Sequence, residues 1–138
     1  MAGGERPVDL QQRPALLLRQ GLIADDGAVG DMLGVDVDIQ GGTIIAGAWF
    51  NDHAGSNSGA AYIFKLASDG NWYQEAKLTA PDASPEDAFG RTVSLGTDFC
   101  AIGSPLDDDL GATSGSILIF DKNGDGTWSF AQKLLHPS

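Results

Sequence analysis

Cysteine is nearly absent. Of 138 residues only Cys100 carries a thiol, so no disulfide can form within the chain. It lies in the apolar, strand-like run Phe99–Ile102, with no His or basic side chain beside it. A Cys in that setting reads as a small core hydrophobe rather than a nucleophile. Basic residues are scarce as well: eight Lys and Arg stand against 19 Asp and Glu, a net charge of −11. Without a cationic surplus the chain is a poor match for nucleic acid or anionic lipid. Long apolar runs are missing, the longest being Ala60 to Phe64, far short of a helical membrane span. Near the N-terminus Glu5, Arg6, Asp9 and Arg13 break up the apolar residues, and Ala15–Leu18 is too short for the core of a secretory signal.

Catalytic patterns are also missing. There is no Gly-x-Ser-x-Gly elbow, no His-Glu-x-x-His and no Gly-rich phosphate loop ending in Lys-Ser/Thr. Ser104 follows Gly103, but Pro105 and the lack of a paired base make it a loop residue. His53 and His136 have no second His or Cys at ligand spacing. No catalytic or cofactor-binding residue is singled out, and the chain is expected not to be an enzyme.

What is abundant is glycine, 19 residues set between short β-branched and aromatic runs, which reads as a high density of turns. A shift of 56 residues lays the chain on itself without a gap from Leu22 to Leu134. Asp26 falls on Asp82, Asp31 on Asp87, Gly34 on Gly90, Gly47 on Gly103 and Asp52 on Asp108. Ser58-Gly59 falls on Ser114-Gly115, Ile63-Phe64 on Ile119-Phe120, Trp72 on Trp128 and Lys77-Leu78 on Lys133-Leu134. Chance identity is roughly one position in fifteen for ordinary composition. A period of this size belongs to propellers, solenoids and arrays.

Each unit reads as four short strands. The first unit places them near Leu33–Gln40, Thr43–Trp49, Ala60–Leu66 and Trp72–Ala80; the second near Phe89–Gly96, Phe99–Ser104, Ser116–Asp121 and Thr127–Leu135. In the first strand Leu33, Val35, Val37 and Ile39 share one face, with Asp36 and Asp38 on the other. Tyr62-Ile63-Phe64 and Ile117-Leu118-Ile119-Phe120 are apolar on both faces, which implies sheets covered on both sides. No helical period survives within the repeats. The expected fold is all-β, with two four-stranded antiparallel blades of a β-propeller. Residues 1–18 form a tail, 19–78 the first repeat with a preceding outer strand at 19–23, and 79–138 the second.

Asp87-Ala88-Phe89-Gly90, followed by Ile102-Gly103-Ser104-Pro105, resembles the Phe-Gly … Gly-Ala-Pro signature of FG-GAP repeats. Asp31-Met32-Leu33-Gly34 and Ala46-Gly47-Ala48-Trp49 form a weaker copy. Asp107-Asp108-Asp109, Ser114-Gly115-Ser116 and the ending Trp128 … Gln132-Lys133-Leu134 are similar to bacterial-type members of that family. The resemblance implies a propeller blade, an extracellular or cell-surface setting, and adhesion or ligand binding, often with Ca²⁺. The family's Asp-x-Asp-x-Asp-Gly loop between the first two strands of a blade has no counterpart here. Those hairpins are only Gln40-Gly41-Gly42 and Gly96-Thr97-Asp98.

Two acidic clusters remain as candidates for Ca²⁺. Asp121, Asn123 and Asp125 precede Gly126 at alternate positions of a hairpin, where hard oxygens can converge on one centre; a tight Asn-Gly/Asp-Gly turn explains the same residues. Asp107, Asp108 and Asp109 are adjacent carboxylates that repel one another unless solvated or bridged by a cation. The expected function is a non-catalytic interaction or adhesion module with a protein or glycan ligand. It would belong to a propeller completed by further blades or by self-association. The alternative is a hydrolase-associated propeller whose catalytic groups lie in other blades or among the loop acids.

Overall fold

The computed structural model describes residues 20–52, 55–108 and 114–135. Asp109, His53, His136, Arg19 and the 1–18 tail lie outside them. The strands are β1 (Val37–Gln40), β2 (Thr43–Ala48), β3 (Ala60–Leu66), β4 (Trp72–Leu78), β5 (Thr92–Leu95), β6 (Phe99–Ser104), β7 (Ser116–Lys122) and β8 (Trp128–Leu135). They form two four-stranded sheets, β1-β2-β3-β4 and β5-β6-β7-β8. Every pairing is antiparallel between sequence neighbours. The repeat extends to irregularities: the register shifts between Ile63 and Phe64 in one sheet and between Ile119 and Phe120 in the other. Among the described residues there is no helix.

The first strand of each unit is shorter than its sequence pattern predicts, β1 starting at Val37 and β5 at Thr92. The residues ahead of them turn instead of extending. Met32 and Gly34 have φ of 59° and 92°, and their equivalents Ala88 and Gly90 have 59° and 95°. A left-handed Met or Ala is costly and persists only where surroundings hold it. Here Gly34 N donates to Gly47 O at 2.9 Å and Gly90 N to Gly103 O at 3.0 Å, which pins each turn across its own sheet. The second and fourth strands of the first unit also end early, at Ala48 and Leu78.

The two sheets stack. Ile45, Ala61, Ile63 and Leu78 of the first close against Phe89, Val93, Cys100, Ile102, Leu118 and Phe120 of the second as one buried cluster. Side chains alternate across a strand, so Tyr62 and Phe64 fall on the far side of the first sheet, with Ala46, Ala48 and Ala60. Leu22 and Ala24 pack on that far side. They are the repeat equivalents of Leu78 and Ala80, which pack against the second sheet. Residues 20–24 thus run as coil where the outer strand of a preceding blade would end.

Apolar and acidic residues alternate along β1 and Asp36 just before it, and it is the acids that meet the second sheet. Asp36 Oδ2 accepts from Val93 N at 2.9 Å and Asp38 Oδ2 from Leu95 N at 2.7 Å. Their other oxygens accept from Val37 N and Ile39 N. Each carboxylate therefore bridges the outward amides of two edge strands, which would otherwise be open to pairing. Val37 and Ile39 themselves are 58% and 60% exposed. Close approach of the sheets needs glycine: a Cβ on Gly47 would stand 1.8 Å from Gly90 O, and one on Gly59 1.9 Å from Phe89 O.

Candidate functional site

The loops that follow β2 and β6 hold the strongest polar constellation. In the second unit Asp87 is set by the turn before β5, where Ser84 N donates to Asp87 Oδ2 at 2.9 Å. Asp107 follows β6, its N–H on Ser104 O at 3.2 Å. Ser116 Oγ donates to Asp107 Oδ2 at 2.8 Å, and Gly115 N donates to Asp107 O. Ser104 Oγ donates to Asp87 O, tying the two turns together. One carboxylate oxygen each of Asp87, Asp107 and Asp108 lies within 4.8 Å of the others. Asp87 and Asp107 are buried, and Asp108 faces solvent. Lys133 bridges Asp107 at 2.6 Å and Asp82 at 2.7 Å.

Burial raises the Asp87 carboxyl above its ordinary 3.8, and the neighbouring Asp107 and Asp108 charges push the same way. The Ser84 amide and the Lys133 ammonium oppose the rise. The first unit solves the same position differently. Asn51 stands where Asp107 does and donates through Nδ2 to Asp31 Oδ2 at 3.1 Å and to Tyr62 OH at 3.3 Å. Tyr62 in turn donates to Asp26, which also pairs with Lys77. These bonds hold the Asp26 carboxyl below its usual range, Lys77 contributing most. The Tyr62 hydroxyl is raised, chiefly by burial. Each network holds two equivalent aspartates and a lysine; Asn51 and Tyr62 join those of the first unit, whereas Asp107 and Asp108 add carboxylates to those of the second.

The hairpin candidate is arranged differently. Asp125 Oδ1 accepts from Thr127 N at 3.0 Å and from Thr127 Oγ1 at 2.6 Å, bonds that lower its carboxyl. Asn123 donates from Nδ2 to Thr127 Oγ1 and to Ser129 Oγ at 2.8 and 2.7 Å. Asn123 N and O close the turn with Thr127 and Gly126. Asp121 is exposed on β7, paired in register with Ser129. These groups organise a β-hairpin, and Asn123 turns donors rather than ligand oxygens toward Thr127 and Ser129.

Adjacency in the chain pointed to Asp107 and Asp108 but not to Asp87, twenty residues upstream of Asp107. The usable signal was the repeat itself, since the 56-residue shift exchanges Asn51 for Asp107 opposite a constant Asp. Cys100 is fully buried, and burial pushes its thiol up to about 12, so it offers no thiolate. Arg91 lies over the Trp49 ring at 5.0 Å, and Trp49 stacks on Phe50 at 4.2 Å beside the junction of the sheets.

Two four-stranded antiparallel sheets, stacked face to face in sequence order with small residues at the contact, are consecutive blades of a β-propeller. The FG-GAP repeat model matches residues 18–64 and again 72–120, and the chain belongs to the FG-GAP repeat family. No curated protein matches it.

Proposed function

We propose that the chain is a non-catalytic interaction module, a pair of blades that works within a larger or oligomeric propeller. The observation that carries this reading is the apolar character of both outward faces of the pair. Val37 and Ile39 are exposed on one side, and Ile117 and Leu134 on the other at 46% and 42%. Apolar sheet faces of this kind serve as contact surfaces. The reading extends to an extracellular or cell-surface setting, which the FG-GAP membership supports. Ca²⁺ at Asp87, Asp107 and Asp108 is part of the proposal. Three carboxylates supply hard oxygens, and the ion would remove the repulsion that Lys133 only partly offsets.

Two measurements test it. An environment-sensitive apolar dye should bind the isolated chain at its open faces, and the chain should not turn over esters, glycosides or phosphoesters. Turnover abolished by Asp108→Ala would favour the hydrolase-associated reading. A folded chain that ignores the dye would remove the contact surfaces on which the module reading rests.

A further inference from the structure

The outer face of the second blade carries an open groove of about 750 Å³. The repeat identifies what shape it is made for. At the junction within the chain, the Phe89-Gly90 turn docks on Gly47, Ala48, Ser58, Gly59 and Ala60 of the first blade. Phe89 N donates to Ser58 O, Phe89 bridges Gly59, and a Cβ on Gly90 would strike Ala60 O. Phe89 is fully buried there beside Ala61 and Leu78. Moved on by one repeat, this socket becomes Gly103, Ser104, Ser114, Gly115 and Ser116, flanked by Ile117 and Leu134. Those residues line the groove.

The matching plug is also present. Leu33 is the repeat equivalent of Phe89, held between left-handed Met32 and Gly34 as Phe89 is between Ala88 and Gly90. It lies half-buried on the outward face of the first blade, over the Ala46 and Phe64 cluster. Resting on the module reading above, we propose that the groove of one copy receives the Leu33 turn of a second copy, head to tail. The same junction geometry sets a condition. Leu22 occupies on the first blade the position that Leu134 of the incoming blade requires, since both correspond to Leu78. Residues 20–24 are therefore a resident cover of the docking face. They are held by the Gln20 side chain on Trp72 N and O, at 2.9 and 3.0 Å, and must swing aside.

The contact is weaker than the junction within the chain. Thr92 and Ser94 replace Asp36 and Asp38, so no carboxylate reaches the neighbour's amides. Each copy also carries a net charge of −11, so screening by salt should favour association.

The test compares sedimentation velocity of the parent chain, a loosened-cover variant (Gln20→Ala with Leu22→Ser), and two further variants in that background. Leu33→Asp removes the plug and Ile117→Arg blocks the groove. The loosened chain should associate about tenfold more tightly than the parent. Each blocked variant alone should be monomeric, with unchanged circular dichroism. Mixed together, they should form a one-to-one dimer and nothing larger, because one intact plug meets one intact groove. If Leu33→Asp does not fold, Leu33→Ala takes its place. A loosened chain that remains monomeric, a blocked variant that still associates, or a mixture that stays monomeric would overturn the proposal. None of these outcomes depends on dye binding or turnover, so the module reading stands or falls separately.

Discussion

Asn51 and Asp107 occupy the same place in successive blades and satisfy their partners by opposite means. Asn51 donates to Asp31 at 3.1 Å, while Asp107 brings a second carboxylate beside Asp87 and relies on Lys133. The second blade's loops thereby gather carboxylates where the first blade's use an amide, and burial with the neighbouring Asp107 and Asp108 charges raises the Asp87 carboxyl.

Asp87→Asn should raise the thermal midpoint at neutral pH. The native carboxyl titrates above 3.8, so its contribution is complete below that value and declines as pH rises through the raised native one. The gain of the variant should therefore shrink as pH is lowered toward 3.8, because the protonated carboxyl is then as neutral as the amide that replaces it. A midpoint difference that does not change with pH would contradict this. Asp26→Asn should show the reverse sign. Its native carboxyl lies below 3.8, so the variant is less stable at neutral pH and the deficit fades as pH falls through that lower value. With Asp26 half-exposed, the deficit should stay under about 1 kcal/mol.

Millimolar Ca²⁺ should raise the midpoint modestly over a chelated sample, by mass action on the native state. Asp108→Ala and Asp107→Asn should each remove the rise, and Asp125→Ala should leave it intact. A rise that survives both loop substitutions but disappears with Asp125→Ala would move the ion to the hairpin of Asp121, Asn123 and Asp125. No rise at all would end the metal proposal.

Asp36→Ala and Asp38→Ala should each destabilise the chain by about 1.5 kcal/mol, the range for hydrogen bonds to a charged acceptor. Denaturant unfolding followed by Trp fluorescence measures it. Losses within error for both would mean that the carboxylates do not hold the blades together.

Gly47→Ala should cost more than about 3 kcal/mol or prevent folding, since its Cβ would overlap the Gly90 carbonyl. Gly21→Ala is the control, with nothing within 4 Å of its added Cβ. Similar midpoints for the two variants would show that the sheets can part without penalty.

The middle strands of each unit were legible because their signals are local. Ala60–Leu66 and Phe99–Ser104 fall where apolar runs between turn residues put them. The first strands, expected over Leu33–Gln40 and Phe89–Gly96, start later because Gly34 and Gly90 within them take φ of 92° and 95°, and glycine fits extended and left-handed backbone alike. Gly34 N and Gly90 N pin these turns by donating across their own sheets to Gly47 O and Gly103 O. The hydrophobic alternation of β1 was legible, yet which side would meet the neighbour was not. The alternation separates Val37 and Ile39 from Asp36 and Asp38, and only the stacking of blades shows the acids turned toward the neighbour. At the acidic site, adjacency exposed Asp107 and Asp108, whereas Asp87 and Lys133 come from other segments and meet them only through the fold.

The Asp36 and Asp38 carboxylates also give the duplicated unit a grammar. A tandem array made from copies of the first repeat would carry an Asp pair at every junction. An array made from the second would present Thr92 and Ser94 each time and lose that linkage from its first junction. The two repeats are thus not synonyms: the first grips its successor through two carboxylates, and the second meets a following blade without them.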